Sequence, residues 1–289
     1  MAIYDGNKLA QERILDVANF CAMAAVKAPQ MTGKIQVLTE VITDEDVDPI
    51  EEILGIQAKT SIVAEGDYTT LKYCREHSHR PVILLVGASG LRHAEMGWDC
   101  GACGFATCEE FNKYSDETAE AVSKLRRRFH LGPQCPWKQV DLGGAMSWAS
   151  AAAAEFNVEN RMVASVWNVA KLVGYMEKAE SGAALCLGPI ENVVYYDRAS
   201  VRGKWTADEH MEYLFRAMPS HFMGFTGVKD PRFKYGDEWE KKPKRVHIAA
   251  RSQEYFADLA EDENKIDKIC ARVKAKLGAQ KKRLSINRE

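Results

Sequence analysis

Three cysteines lie close together in the segment 98–111, WDCGACGFATCEEF. Cys100, Cys103 and Cys108 follow the pattern C-x2-C-x4-C, and a fourth cysteine, Cys135, follows in the segment GPQCPW. A cubane iron–sulfur cluster takes four cysteine thiolates, commonly three from one loop and one from a distant segment. The pattern therefore predicts that these four cysteines bind a 4Fe-4S cluster.

The residues between the cysteines suit an anionic ligand. Gly101 and Gly104 have no side chain, so the backbone can wrap closely around a cluster. Thr107 and Glu110 have the spacing of a T-x-x-E capping box, which predicts that a helix begins at Cys108. A cluster with four thiolates is negatively charged, and a helix N-terminus is electrostatically favourable for an anion. We therefore expect the loop and the helix to serve the same ligand.

Structural zinc is the alternative ligand for these cysteines. Zinc sites use the same donor type, but usually as two C-x2-C pairs, and the second pair is missing here. The other cysteines, Cys21, Cys74, Cys186 and Cys270, stand singly in predicted helices or strands. We expect them to be small hydrophobic residues of the core.

Composition narrows the class of protein. A net charge of -2 over 289 residues gives no global reason to expect nucleic acid or acidic lipid as a partner. The first residues, MAIYDGNKLAQERILD, lack the apolar stretch of a secretory signal. The apolar-rich stretches are shorter than the roughly 20 residues of a bilayer span. We therefore expect a cytoplasmic protein without a membrane span, where reduced cysteines favour metal or redox roles over disulfides.

Periodic patterns predict that helices alternate with strands. The apolar run PVILLV, 81–86, is typical of a strand buried on both faces. Helical spacing of apolar residues starts at Leu9 and ends before Pro29. The predicted strands are 34–42, 81–86 and 183–187, and the later predicted helices are 46–57, 67–77, 110–129, 140–156 and 161–174. This alternation favours an α+β or α/β sandwich.

The character of the chain changes after about Arg198. Residues 204–235 are rich in Met and aromatic residues, and the charged linker EWEKKPKR follows. A long amphipathic helix is predicted last, with one apolar face formed by Tyr255, Phe256, Leu259, Ile266, Ile269, Val273 and Leu277. We expect a first domain over 1–198, carrying the cysteine motif at about 98–136, and a C-terminal extension over 199–289.

Several of these segments resemble a known family. The stretches DCGACGFATCEEF, GPQC, VDLGGAMSWASAAAAEFNVENRM and YYDR, spread over roughly residues 8–198, resemble uncharacterised ferredoxin-domain proteins of anaerobic bacteria and archaea. That family resembles the nitroreductases in fold, with a central antiparallel sheet wrapped by helices and usually a homodimer with flavin at the subunit interface. The resemblance implies an α+β, nitroreductase-like homodimer with an inserted iron–sulfur loop.

The resemblance also implies FMN as a second cofactor. The stretch AAVKAPQ resembles the nitroreductase segment that holds the flavin phosphate, which makes Lys27 the phosphate contact. LCLGPI resembles the strand and glycine turn near the flavin ring, which makes Gly188 a close backbone approach. Arg198 of YYDR would supply a second cation, and DLGGAMSWASAAAAEFNV resembles the central interface helix.

The function expected from this sequence is that of an electron-transferring oxidoreductase of anaerobic metabolism. Its 4Fe-4S cluster would exchange single electrons with a bound flavin, or with a protein electron donor or acceptor. Two alternatives stay open. The chain is a non-catalytic ferredoxin-like subunit or assembly factor of a larger redox complex, or it is a zinc-stabilised structural protein. The sequence identifies no catalytic residue.

Overall fold

The computed structural model describes residues 3–77, 81–123, 129–189, 194–195 and 253–286. The helices in these ranges are α1 (Gly6–Glu12), α2 (Ile14–Lys27), α3 (Asp48–Gln57), α4 (Ile62–Glu76), α5 (Cys108–Ser123), α6 (Pro136–Glu155), α7 (Ala164–Val173) and α8 (Gln253–Ile286). The strands are β1 (Gln36–Ile42), β2 (Val82–Ser89), β3 (Asn160–Val163) and β4 (Ser181–Leu187). Arg198 and the aromatic segment 204–235 lie outside the described residues.

The strands β1 to β4 form one antiparallel sheet in the order β1-β2-β4-β3. Strand β2 is central and buried along nearly its whole length. Its side chains alternate between two apolar clusters, with Ile83 and Leu85 on one face and Val82, Leu84 and Val86 on the other. The prediction of a strand buried on both faces is confirmed.

Helices cover both faces of this sheet. On one face, α3, α4, α7 and α8 pack around the fully buried Trp167. On the other face, α2 and α6 pack against each other and against the sheet through small buried residues such as Ala18, Ala145 and Ala149. This arrangement confirms the α+β class. The nitroreductase-like topology stays a prediction.

The N-terminal helix is interrupted, which the sequence analysis did not predict. Arg13 ends α1 and precedes α2, so the helical pattern that starts at Leu9 belongs to two helices. In α1 no residue is buried, and Leu9 is 36% exposed. Helix α1 is started locally, because the carboxylate of Asp5 accepts the N–H groups of Asn7 and Lys8. The apolar residues at helical spacing are therefore buried only from Ile14 onward.

The predicted helix 161–174 was wrong at its start. Residues Asn160–Val163 form β3, which pairs with β4, and α7 begins only at Ala164. The edge of the sheet satisfies the backbone groups of this segment, and its sequence alone does not reveal that partner. Gly174 ends α7 with a φ of 109°, as the left-handed C-cap of a helix requires.

Two other helices begin earlier than predicted. Helix α4 begins at Ile62 because Ser61 Oγ accepts the N–H of Ala64 at 3.1 Å. Helix α6 begins at Pro136 instead of Val140, since a proline without an N–H fits the first turn of a helix. The early start places the first turn of α6 directly after Cys135.

The last helix, α8, packs against α3 and α7. Its residues Ile266, Cys270 and Val273 are buried in the same apolar cluster as Trp167, which confirms part of the predicted apolar face. Leu259 is partly exposed. The division into 1–198 and 199–289 stays a prediction. Within the described ranges, none of the helices combines the length and apolarity needed to cross a bilayer.

Candidate metal centre

Four cysteines line one cavity. Cys100, Cys103 and Cys108 come from the loop before α5, and Cys135 immediately precedes α6. The structure therefore brings together the four cysteines of the predicted ligand set.

The cavity is closed on one side and open on the other. Cys135 is buried and packs with the buried residues Ala94 and Phe111 in a small apolar cluster. Cys103 and Cys108 are half-buried, whereas Cys100 is exposed. The floor is thus apolar and shielded from water, and the rim beside Cys100 faces solvent.

The glycines between the cysteines shape the loop. Gly101 and Gly104 have φ angles of 71° and 87°, a conformation that residues with a side chain rarely adopt. The N–H of Gly104 donates to the carbonyl of Gly101 at 2.9 Å, which closes a turn around Cys103. These glycines are therefore required by the positive φ of the loop, and their close approach to a cluster stays a prediction.

Side chains of the loop cap the start of α5. Thr107 Oγ1 accepts the N–H of Glu110 at 3.1 Å, as the capping-box pattern predicts. The carboxylate of Glu110 accepts the N–H of Ala106 at 3.2 Å instead of that of Thr107. Asp99 Oδ1 accepts the N–H of Cys108 at 2.7 Å. The helix begins at Cys108 as predicted, and two amides of its first turn are bonded within the loop.

Residues 90–96 form a loop that joins the elements around the cavity. The N–H of Cys135 donates to the carbonyl of Leu91 at 2.8 Å, and the N–H of Leu91 donates to Glu180 Oε2 at 2.6 Å. Asn112 of α5 accepts the N–H of Ala94 at 2.6 Å and donates to its carbonyl at 3.2 Å. The loop therefore fixes Cys135 relative to α5.

Lys138 makes the second connection to this loop. Its side chain has no exposed surface, and its Nζ donates to the carbonyl of Gly90 at 2.6 Å and pairs with Glu95. A buried ammonium group is stable only when such partners replace water. Lys138 was not predicted as a site residue, because its only local signal is its position three residues after Cys135.

Trp137 contacts a cysteine of the cavity directly. Its indole Nε1 donates a hydrogen bond to Cys100 Sγ at 3.2 Å. The ring of Trp98 meets that of Trp137 edge-on, with centroids 6.3 Å apart. Hydrogen bonds from the backbone of Ala102 and from Trp137 lower the pKa of the Cys100 thiol, because they stabilise its thiolate. Trp137 was not predicted as a site residue from the sequence.

The single cysteines have the opposite environment. Cys21, Cys74, Cys186 and Cys270 are buried in the two main apolar clusters or beside them, which confirms their prediction as core residues. Burial raises the pKa of the Cys21 thiol to about 11 and that of the Cys74 thiol to about 12. These thiols stay protonated at neutral pH.

Two of the three predicted flavin contacts, Lys27 and Gly188, lie in the described part of the chain. Lys27 lies exposed in the last turn of α2, where a cation is favourable in any case. Gly188 is buried with a φ of 77°, and a Cβ there would lie 2.5 Å from Ile14 Cδ1, so packing against Ile14 explains this glycine. Arg198 lies outside the described residues. FMN binding stays a prediction.

A single metal ion needs donor atoms at about 2.0–2.3 Å from one point. In the part of the chain that the structure describes, no group of three or more His, Cys, Asp or Glu side chains is arranged to hold a metal ion. The four cysteines share the wall of a cavity and not one coordination point.

Fold and site together define an α+β protein with a cavity lined by four cysteines. A family model described as "Uncharacterized protein containing a ferredoxin domain" (DUF2148) matches residues 131–198. A protein of Archaeoglobus fulgidus, described as uncharacterized, is 31% identical over 150 residues, which are 52% of this chain and 75% of that relative. The chain belongs to this family of ferredoxin-domain proteins. No solved structure matches the chain.

The segment matched by the family model contains one of the four cavity cysteines. Cys135 lies within 131–198, together with Trp137 and Lys138. Cys100, Cys103 and Cys108 precede the matched segment. The segment therefore supplies one of the four cavity cysteines and, through Cys135 and Lys138, the cavity's connection to the loop 90–96.

Proposed function

We propose that Cys100, Cys103, Cys108 and Cys135 hold a 4Fe-4S cluster and that the protein transfers single electrons. The observation that carries this proposal is that all four cysteines, one of them distant in sequence, line one cavity. The ferredoxin domain in the description of the family supports the same chemistry.

The chemistry of the cavity fits this group. Cysteine thiolates are the soft donors that iron–sulfur clusters take. Gly101 and Gly104 keep side chains off the loop between the donors, and Phe111 and Ala94 exclude water behind Cys135. When bound, the cluster supplies one-electron redox chemistry. The chain holds it and sets its access to solvent.

The exposed rim is where we expect electrons to enter and leave. Cys100 is exposed and Trp98 is 46% exposed beside it, so a partner can approach the cavity on this side. A protein electron donor or acceptor is therefore the proposed partner. The same rim serves an oxidoreductase and a ferredoxin-like subunit of a larger complex, and stable co-purification with a larger enzyme would favour the subunit.

We also propose that the protein is a homodimer through α2 and α6. Phe20 of α2 stacks on Phe156, which follows directly after α6, and the two ring centroids are 5.4 Å apart. Both rings are about half exposed. Met23 and Trp148 add further exposed apolar surface on the same two helices. An exposed apolar surface of this kind is typical of an interface.

Light scattering should give the mass of a dimer. Trp148→Glu should give a monomer, whereas Leu259→Glu on α8 should leave the dimer intact.

Anaerobic cofactor analysis tests the electron-transfer proposal. The purified protein should contain about four iron and four sulfide per chain and give an EPR signal on reduction. Equimolar zinc without iron or sulfide would overturn the proposal and favour a structural zinc protein. Equimolar FMN released on denaturation would establish the second predicted cofactor.

A further inference from the structure

Trp137 combines two features that concern the cavity. It belongs to the first turn of α6 and follows the buried Cys135, so its backbone is fixed by the same helix start. Its side chain reaches Cys100, the most exposed of the four cysteines, with an N–S distance of 3.2 Å. The indole N–H can only donate, and near the solvent-facing rim water could accept it. Instead it is directed at a sulfur atom.

A hydrogen bond to a ligand sulfur favours the more negative state of a cluster. Reduction adds one electron to the cluster, so the positive end of the indole N–H dipole stabilises the reduced state more than the oxidised state. The rings of Trp137 and Trp98, whose centroids are 6.3 Å apart, line this side of the cavity, and the hydrogen bond reaches Cys100 although this cysteine is exposed to solvent.

We propose that Trp137 is a positioning residue that raises the reduction potential of the cluster by donating to Cys100. This inference rests on the proposed function. It is new in assigning one side chain outside the ligand set to the control of the potential. Trp98 is the natural control, because it lies on the same cavity wall and contacts the Trp137 ring.

The first test is a redox titration of cluster-loaded protein, followed by EPR. Trp137→Phe keeps the ring and removes the N–H, so the midpoint potential should move to a lower value than in the wild type. Trp98→Phe should move it less. An unchanged potential in Trp137→Phe, at full iron content, would overturn the inference and leave the proposed function standing. If the wild-type protein contained no iron, the proposed function itself would be contradicted.

A second measurement needs no variant. Wild-type protein labelled with 15N-tryptophan and reduced should show coupling between the cluster spin and a tryptophan nitrogen in pulsed EPR. Removal of this coupling in Trp137→Phe, and its retention in Trp98→Phe, would assign it. If Trp137→Phe loses its cluster, the wild-type spectrum decides alone, and a spectrum without tryptophan coupling would contradict the inference.

Discussion

Four of the eight cysteines lie in the packed helices and strands, and the other four line a cavity beside the first turns of α5 and α6. In the first set, burial among apolar side chains raises the pKa of the Cys21 thiol to about 11 and that of the Cys74 thiol to about 12, which keeps these two thiols protonated at neutral pH. In the second set, Cys100 receives two hydrogen bonds that favour its thiolate. The same residue type is thus inert or ligand-like according to the donors that surround it.

The two regions are also held together differently. The sheet and its helices are joined by apolar contacts around residues such as Trp167. The cavity has only a small apolar floor, and the loop 90–96 positions it through polar contacts with Lys138, Glu180 and Asn112. Substitutions in the first region should therefore change stability alone, whereas substitutions in the second should change both stability and the cluster.

The largest loss of stability is expected for Gly182→Ala in β4. A Cβ at this position would lie inside contact distance of the Trp167 ring and of the Val86 carbonyl, neither of which can move freely. We expect the free energy of unfolding to fall by about 3 kcal/mol, as overpacking of a core does. Urea unfolding measures this. Gly143→Ala in α6 meets no atom within 4 Å and should not destabilise the protein. Equal unfolding midpoints for the two variants would contradict the close packing of Gly182 against the Trp167 ring and the Val86 carbonyl.

Lys138→Met should have the next largest effect. It removes the buried ammonium that holds the carbonyl of Gly90 and the carboxylate of Glu95, and leaves the carbonyl without this donor. We expect a loss of about 2 kcal/mol in unfolding experiments, together with faster loss of iron from the reduced protein. The exposed Lys113 offers the matched control, because Lys113→Met should change neither quantity. If Lys138→Met lost iron at the wild-type rate, the loop 90–96 would not contribute to holding the cluster.

Cys21→Ser should destabilise the protein without affecting the cluster. The thiol is fully buried between α2 and α6, and a hydroxyl is costlier to transfer into that apolar cluster. Thermal or urea unfolding should show a loss of about 1 kcal/mol. Iron and sulfide per folded chain should equal those of the wild type. A drop in iron would mean that the two sets of cysteines are coupled.

The remaining expected difference is in reaction rate and not in stability, and it concerns the folded apoprotein. At pH 7 to 8 Cys100 should be alkylated by iodoacetamide faster than Cys21 and Cys74, because only thiolates react and its pKa is lowered while theirs are raised to about 11 and about 12. Raising the pH towards 9 should speed alkylation of Cys100 less than that of an ordinary thiol. Peptide mass spectrometry resolves the sites. Modification of Cys74 at the rate of Cys100 would contradict the comparison.

Local patterns predicted the parts of the molecule that depend on local contacts. The apolar run of β2, the Thr107 cap of α5 and the core cysteines all follow from spacing and residue type. The start of β3 was missed because its pairing partner, β4, lies later in the chain. Lys138 was missed for the same reason, since Gly90 and Glu95 are far away in sequence. The contact of Trp137 with Cys100 could not be predicted either, because the position of Cys100 depends on the folded loop.

The most direct test of the four-cysteine site compares Cys135→Ser with Cys21→Ser under anaerobic purification. Both substitutions replace a buried sulfur by oxygen, but only Cys135 lines the cavity. The account predicts about four iron and four sulfide per chain in Cys21→Ser and a loss of the 4Fe-4S spectrum in Cys135→Ser. Full iron and an unchanged EPR spectrum in Cys135→Ser would remove Cys135 from the ligand set and contradict the proposed site.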